Sequence, residues 1–277
     1  MKKITALLVL ALTTFTMTAC SSAKVEEQAV DEYVKALKTT KEVTSADFEA
    51  KLLVDANDSN MHVKVALDGS FLNQDKAQVQ AALDVAANGV KIEDIAKVYV
   101  KDDIVYMNAL DTKKLFMPVQ TFKDTMEIPA SRSTTAEDLE RYLSTFTMKE
   151  EDGKKVLEGE FNEDFTKNIK TYADRYLEET TAKNMTIEKV NSTTIKVVID
   201  KKGYIEEFVY LIDVVYKDSS AEKGKETIPT ELTLSFKLNE IDKVESIDFP
   251  DFKEYKESKG DLTTLFDDLS TESHTAV

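Results

Sequence analysis

Phe48-Glu49-Ala50-Lys51-Leu52-Leu53-Val54-Asp55 and Met61-His62-Val63-Lys64-Val65-Ala66-Leu67-Asp68-Gly69-Ser70-Phe71 alternate apolar and polar side chains with a period of two. That period places Phe48, Ala50, Leu52 and Val54 on one face of a pleated strand, and Met61, Val63, Val65, Leu67 and Phe71 on one face of the next. Between them Asp55 to Asn60 is rich in turn formers, so the two runs read as an antiparallel hairpin with one buried and one wet face.

The same period continues downstream. Ala77, Val79, Ala81, Leu83, Val85 and Ala87 alternate again; the alanines would also suit a helix, but the run is read as a strand. Asn88-Gly89 then offers a type I′ turn, and Ile95 to Val100, Ile104 to Leu110 and Leu115 to Val119 add further β runs, the first two separated by Lys101-Asp102-Asp103. Upstream, Val30, Tyr33, Val34 and Leu37 fall at helical spacing and predict one amphipathic helix up to about Thr40. The first half is therefore a helix followed by an antiparallel meander.

Thr121 to Thr135 has little periodicity, contains Pro129, and reads as a surface loop, a candidate lid. Thr134 with Glu137 makes a capping box, and Leu139, Tyr142, Leu143 and Phe146 form a helical stripe behind it. After a short strand around Val156 to Phe161, the residues Phe165, Ile169, Tyr172, Ala173, Tyr176 and Leu177 give the strongest helical pattern in the chain. The remainder is β: Thr186 to Val190, Ile195 to Asp200, Tyr204 to Tyr216, Thr230 to Leu238 and Val244 to Phe249. Asp200-Lys201-Lys202-Gly203 is a hairpin connection in which Gly203 suits a positive φ. Lys217 to Glu226 is a polar loop, and after Pro250 the composition turns charged, with a frayed helix over Tyr255 to Leu269.

The N-terminus has a separate message. Lys2 and Lys3, the apolar run Ile4 to Leu12 and the mostly small residues Thr16 to Ala19 have the three-part layout of a secretory signal, too short in its apolar part to span a bilayer. Met17-Thr18-Ala19-Cys20 resembles the lipobox of bacterial lipoproteins, departing from it in Met17, where leucine is commoner. The resemblance implies cleavage before Cys20 and a diacylglyceryl group on its sulfur, hence a chain held at the extracytoplasmic face of the cell membrane. A lone cysteine cannot form an internal bridge, which agrees with that assignment. Two acyl chains anchor stably where one holds only marginally.

The 277 residues carry a net charge of -16, and removal of residues 1–19 takes away two lysines and no acids. So acidic a body is repelled by nucleic-acid phosphates and anionic headgroups, which argues against nucleic-acid binding and leaves attachment to the lipid. With 42% hydrophobic residues the chain can bury a substantial core.

Ala29 to Thr40 before Phe48 to Asp55, the run Val98-Tyr99-Val100-Lys101-Asp102-Asp103-Ile104-Val105-Tyr106, and Val197 to Ile205 together resemble the LolA/LppX-like lipoproteins and little-characterised Gram-positive lipoproteins of similar layout. The resemblance implies an α+β fold: a large curved antiparallel sheet, an incomplete β-barrel, with helices packed on its concave face around an apolar cavity. It also implies acylated lipids or lipoproteins as the class of cargo. The expected organisation is a signal peptide over 1–19, a tether over 20–27, the LolA/LppX-like domain over 28–250 and a charged tail over 251–277.

Chemistry is sparse. His62 alternates with Met61 and Val63 and so lies on the wet face, His274 sits in the tail, and no histidine pair has metal spacing. Asp55 to Asn60 lacks the glycine and glutamate of an EF-hand loop. Asp102-Asp103, Glu150-Glu151-Asp152 and Asp267-Asp268 follow from an acidic composition, and no G-x-S-x-G, P-loop or Rossmann glycine pattern is present. No enzyme, cofactor or metal is expected. Ala77, Ala81 and Ala87 leave room on their strand for an apolar ligand, and Tyr142, Phe146, Tyr172 and Tyr176 could line the same space while packing the core. A carrier of an apolar ligand and a structural or protein-interaction lipoprotein without a cavity are the two readings, with the protein partner unknown.

Overall fold

The computed structural model describes residues 24–56, 61–125, 135–178, 184–224 and 226–258. Helix α1 (Glu27–Thr40) precedes six strands, β1 (Ser45–Ala56), β2 (Met61–Asn73), β3 (Ala77–Ala87), β4 (Val90–Lys101), β5 (Ile104–Ala109) and β6 (Lys113–Pro118). Two short helices, α2 (Val119–Thr125) and α3 (Ala136–Tyr142), lead to β7 (Leu143–Glu151) and β8 (Lys154–Phe161). Helix α4 (Glu163–Glu178), β9 (Met185–Ile199), β10 (Ile205–Asp218), β11 (Thr227–Asn239) and the two-residue β12 (Lys256–Glu257) complete the chain.

All twelve strands form one sheet in the order β12-β6-β5-β4-β3-β2-β1-β11-β10-β9-β8-β7, with edges at β12 and β7 rather than closure. It is two meanders, β1 to β6 and β7 to β11, joined by the antiparallel pairing of β1 with β11. Every pairing is antiparallel except β12 on β6. The register shows why the alternation matters: Phe48 faces Gly69 and Leu238, Leu52 faces Val65 and Leu234, and Leu83 faces Leu67 and Ala96. Apolar positions of successive strands thus fall on one common face, and Glu49, Lys51, Lys64 and Asp84 on the other.

Tight turns set that register. Asn88 and Gly89 have φ of 49° and 85°, the expected type I′ pair, and Asp102 with Asp103 (53° and 63°) turns the same way without glycine, as short polar side chains tolerate. Gly203 has φ of 93° in the Asp200 turn, where its N–H donates to the Asp200 carbonyl.

Helices seal the two flanks of the apolar face. Ala29, Val30, Tyr33 and Ala36 of α1 pack with Phe146, Leu157, Ile195 and Val197. Phe165, Ile169 and Ala173, four residues apart on α4, pack on Ile187, Ile212, Val214 and Leu232. At the opposite flank Val119 and Phe122 of α2 cover Val105, Met107 and Met117. Full burial of side chains of this size is worth about 1.5–3 kcal/mol each.

Several expectations need correction. The stripe Leu139, Tyr142, Leu143 and Phe146 is not one helix: α3 stops at Tyr142 and Leu143 opens β7, paired with Phe161. The β-branched Thr145 and Thr147 and the pairing with β8 override the helical spacing. Thr121 to Thr125, read as loop, belong to α2, and 126–134 of the candidate lid lie outside the described residues. The runs Thr186 to Val190 and Ile195 to Asp200 merge into the single β9, which absorbs register shifts opposite Val214 and Tyr216.

Val244 to Phe249 is no strand. It crosses the polar face, where Phe249 and Phe252 meet Tyr99, and Phe252 stacks on Tyr106 at 3.7 Å between ring centroids. Tyr255 closes the cluster edge-on to Tyr106, its phenol pushed up to about 12 chiefly by burial, and Lys256 and Glu257 pair with β6 in place of the expected helical start. Ordered structure therefore continues past Pro250 to Ser258, whose N–H donates to the Phe116 carbonyl.

Candidate functional site

Between the helix-covered flanks the described residues leave the apolar face partly open, with Leu52, Leu234 and Ala81 buried in its floor. Phe146, Leu157, Val197 and Met117 beneath the helices are fully buried, whereas Ala50, Val65, Leu67 and Leu83 in the middle are only half-buried, and Phe236 is 38% exposed. Ala50, Val65, Leu67, Leu83 and Phe236 belong to none of the helix-covered clusters. The stretch runs over β11, β1, β2, β3 and β4, four inter-strand spacings or about 19 Å.

Aromatic rings grade from the sealed flank onto this open floor. Phe161 stacks on Phe165 at 3.9 Å and on Tyr210 at 5.9 Å, and Tyr210 meets Phe208 edge-on at 4.4 Å. Phe208 is the cross-strand partner of Phe236, which stacks with Phe48 at 6.4 Å. Gly69 lets the Phe48 ring lie across β2, because a Cβ there would come within 2.8 Å of the ring and 2.2 Å of the Gln80 carbonyl oxygen. Burial raises the phenol of Tyr210 well above its ordinary value and pushes that of Tyr33 up to about 12, so both stay neutral at physiological pH. Such a surface offers dispersion and aromatic contact.

Of the residues singled out in the sequence, Ala81 lies on this floor, opposite Gly69 and Val98. Ala77 and Ala87 share its face but are exposed at the two ends of β3. Phe146 is sealed under α1, with its ring over Gly159, and lines no open space. Tyr142 ends α3 against Phe165 at 5.7 Å. Tyr172 is 59% exposed, because Phe165, Ile169 and Ala173 take the inward face of α4. Tyr176 lies in α4 but its side chain is outside the described residues, as is the whole of Cys20. The residues missed, Phe48, Phe208 and Phe236, were legible as apolar positions of their strands; their grouping depends on the pairing of β1 with β11 and β10.

Two surface clefts are charged. One, of about 280 Å³, lies between α1 and the turns at Gly153 and Asp200 and includes Glu32, Lys155, Lys201 and Lys202. The other, of about 200 Å³, is on the polar face among Glu49, Lys51, Asp68 and Lys91. His62 pairs with Asp55 across the β1–β2 hairpin on that polar face. Among the described residues no group of three or more His, Cys, Asp or Glu side chains is placed to hold a metal, and no helix is long and apolar enough to cross a membrane.

The class of architecture is a large, open, mostly antiparallel sheet with few helices. In particular, the chain is similar to the lipoprotein LppX of Mycobacterium tuberculosis, with 12% identity, 80% of this chain and 100% of that chain covered, and a TM-score of 0.42. LprF from Mycobacterium bovis gives 10% identity, coverage of 82% and 98%, and a TM-score of 0.40. A putative outer membrane lipoprotein-sorting protein domain from Vibrio parahaemolyticus gives 7%, 82% and 97%, and 0.24. No family model and no curated protein matches the chain.

Proposed function

We propose that this chain is an extracytoplasmic lipoprotein, fixed to the cell membrane through a diacylglyceryl group on Cys20, that binds a slender apolar ligand such as a lipid acyl chain. The ligand lies along the open centre of the apolar face, on a sheet curved so that this face is concave with α1, α2 and α4 on it. The observation carrying the reading is the exposure of Phe236 on a strand face whose flanks are fully buried. Large apolar side chains left open side by side mark a binding surface. The chain is read as a binding protein, not an enzyme.

Titration with a fluorescent fatty acid tests this: saturable binding is expected, weakened at least about tenfold, or about 1.4 kcal/mol, by Phe236→Asp. Absence of saturable binding by the unaltered protein contradicts it. The charged cleft on the polar face favours a second reading, a structural or protein-interaction lipoprotein without a ligand cavity, whose partner docks at that charged face. That reading is left standing if fatty acid does not bind.

A further inference from the structure

Met61, Val90 and Ile92 are 39%, 67% and 46% exposed, and all lie on the apolar face where β2, β3 and β4 meet the Asn88-Gly89 turn. They extend the open floor to one end of the sheet and leave it there as an apolar rim. The opposite end carries the charged turns Lys101-Asp102-Asp103, Glu151-Asp152-Gly153 and Asp200-Lys201-Lys202; the rim end also carries a charged loop, Asp218 to Glu226, but it alone adds the exposed Met61, Val90 and Ile92.

The N-terminal segment shows which end the membrane meets. Val25 bridges Phe146 in parallel, the Phe146 N–H donates to the Lys24 carbonyl at 3.3 Å, and the Glu26 N–H donates to the Phe146 carbonyl at 2.8 Å. An unbroken row of cross-strand partners leads from Phe146 through Gly159, Ile195, Tyr210, Leu234, Leu52, Val65 and Val85 to Ile92. Val25 therefore stands level with Ile92. Because the bridge is parallel and β7 runs from Leu143 toward Glu151, Lys24 enters from the side of this row on which Val90 and Met61 lie. Cys20 is only four residues before Lys24, a reach of at most about 14 Å.

We propose that the rim of Met61, Val90 and Ile92 rests in the interfacial layer of the bilayer that holds Cys20, so that the open face takes up an acyl lipid directly from that bilayer. The proposal rests on the anchored, lipid-binding reading above and adds the orientation and the source of ligand. Apolar side chains gain by entering the interface, while the charged turns at the far end would lose hydration there. The polar loop between β10 and β11, at the same end as the rim, faces headgroups.

The test uses full-length lipidated protein reconstituted into mixed phosphatidylcholine and phosphatidylglycerol vesicles containing a spin-labelled lipid. Ile92→Cys, Val90→Cys and Lys202→Cys each carry an environment-sensitive thiol dye; the acylated sulfur of Cys20 does not react. Severalfold stronger quenching at positions 92 and 90 than at 202 is expected. Protein that floats with the vesicles but is quenched equally at all three positions, or more at 202, overturns the orientation alone. Protein that does not float, and takes up a second dye on Cys20, overturns the anchor and the orientation with it.

Discussion

Gly203 and Gly69 are required for opposite reasons. Nothing lies within 4 Å of a Cβ at Gly203, but its φ of 93° is left-handed. Gly203→Val should cost on the order of 1–2 kcal/mol by backbone conformation alone, read from the denaturation midpoint. An unchanged midpoint would mean that the turn relaxes freely. At Gly69 space is lacking, so Gly69→Ala must displace the Phe48 ring and the Gln80 carbonyl, at a cost of about 1–3 kcal/mol. The first need was legible because turn chemistry is local. The second was not, since Gln80 and Phe48 reach Gly69 only through the pairing of three strands.

On the polar face Glu231 sits between Asp55 and Asp213 on neighbouring strands, and its carboxyl is held above the usual range by burial first and by those two charges second. A raised carboxyl pKa in the folded state favours folding at low pH, and that contribution is lost as pH rises through the folded value. Glu231→Gln should therefore raise stability at neutral pH by only a few tenths of a kcal/mol, because Glu231 is only partly desolvated and its exposed carboxyl is screened by water, and change little near pH 3. A loss at neutral pH would mean that Glu231 has a favourable partner there.

Among elements, β3 decides what the face does. Ala81 stands on the floor beside Gly69 and below Leu83, so Ala81→Phe would fill space between Phe48 and Val98. If that space receives ligand, uptake of a fluorescent lipid should be lost at small cost in stability. A fall of about 1–3 kcal/mol would mean that the space was already packed. The alternation Ala77 to Ala87 was sufficient to identify this strand, although alanine suits a helix equally well. It failed at the junction of α3 and β7, because Leu139, Leu143 and Phe146 lie at helical spacing and only the distant β8 settles the matter. It failed likewise from Val244 on, where a run read as a strand and the start of one read as a helix form instead an irregular segment whose Phe249, Phe252 and Tyr255 pack on Tyr99 and Tyr106.

For the whole molecule, the pairing of β1 with β11 turns two meanders into one sheet and brings Phe48 against Phe236 across most of the chain's length. No short-range signal reports such a contact, which is why the open aromatic floor was invisible in the sequence while its separate strands were plain. Attachment is proposed from the resemblance of Met17-Thr18-Ala19-Cys20 to a lipobox. Cys20→Ala should leave an uncleaved precursor or release the protein from the membrane fraction, and mature protein still firmly in that fraction would contradict lipidation at Cys20. Whether this domain carries an apolar ligand is tested most directly by native mass spectrometry of protein extracted from the membrane fraction. A mass excess of one acyl lipid over the covalently modified chain is expected; a spectrum containing only the modified chain, under conditions that preserve other lipid complexes, would contradict it.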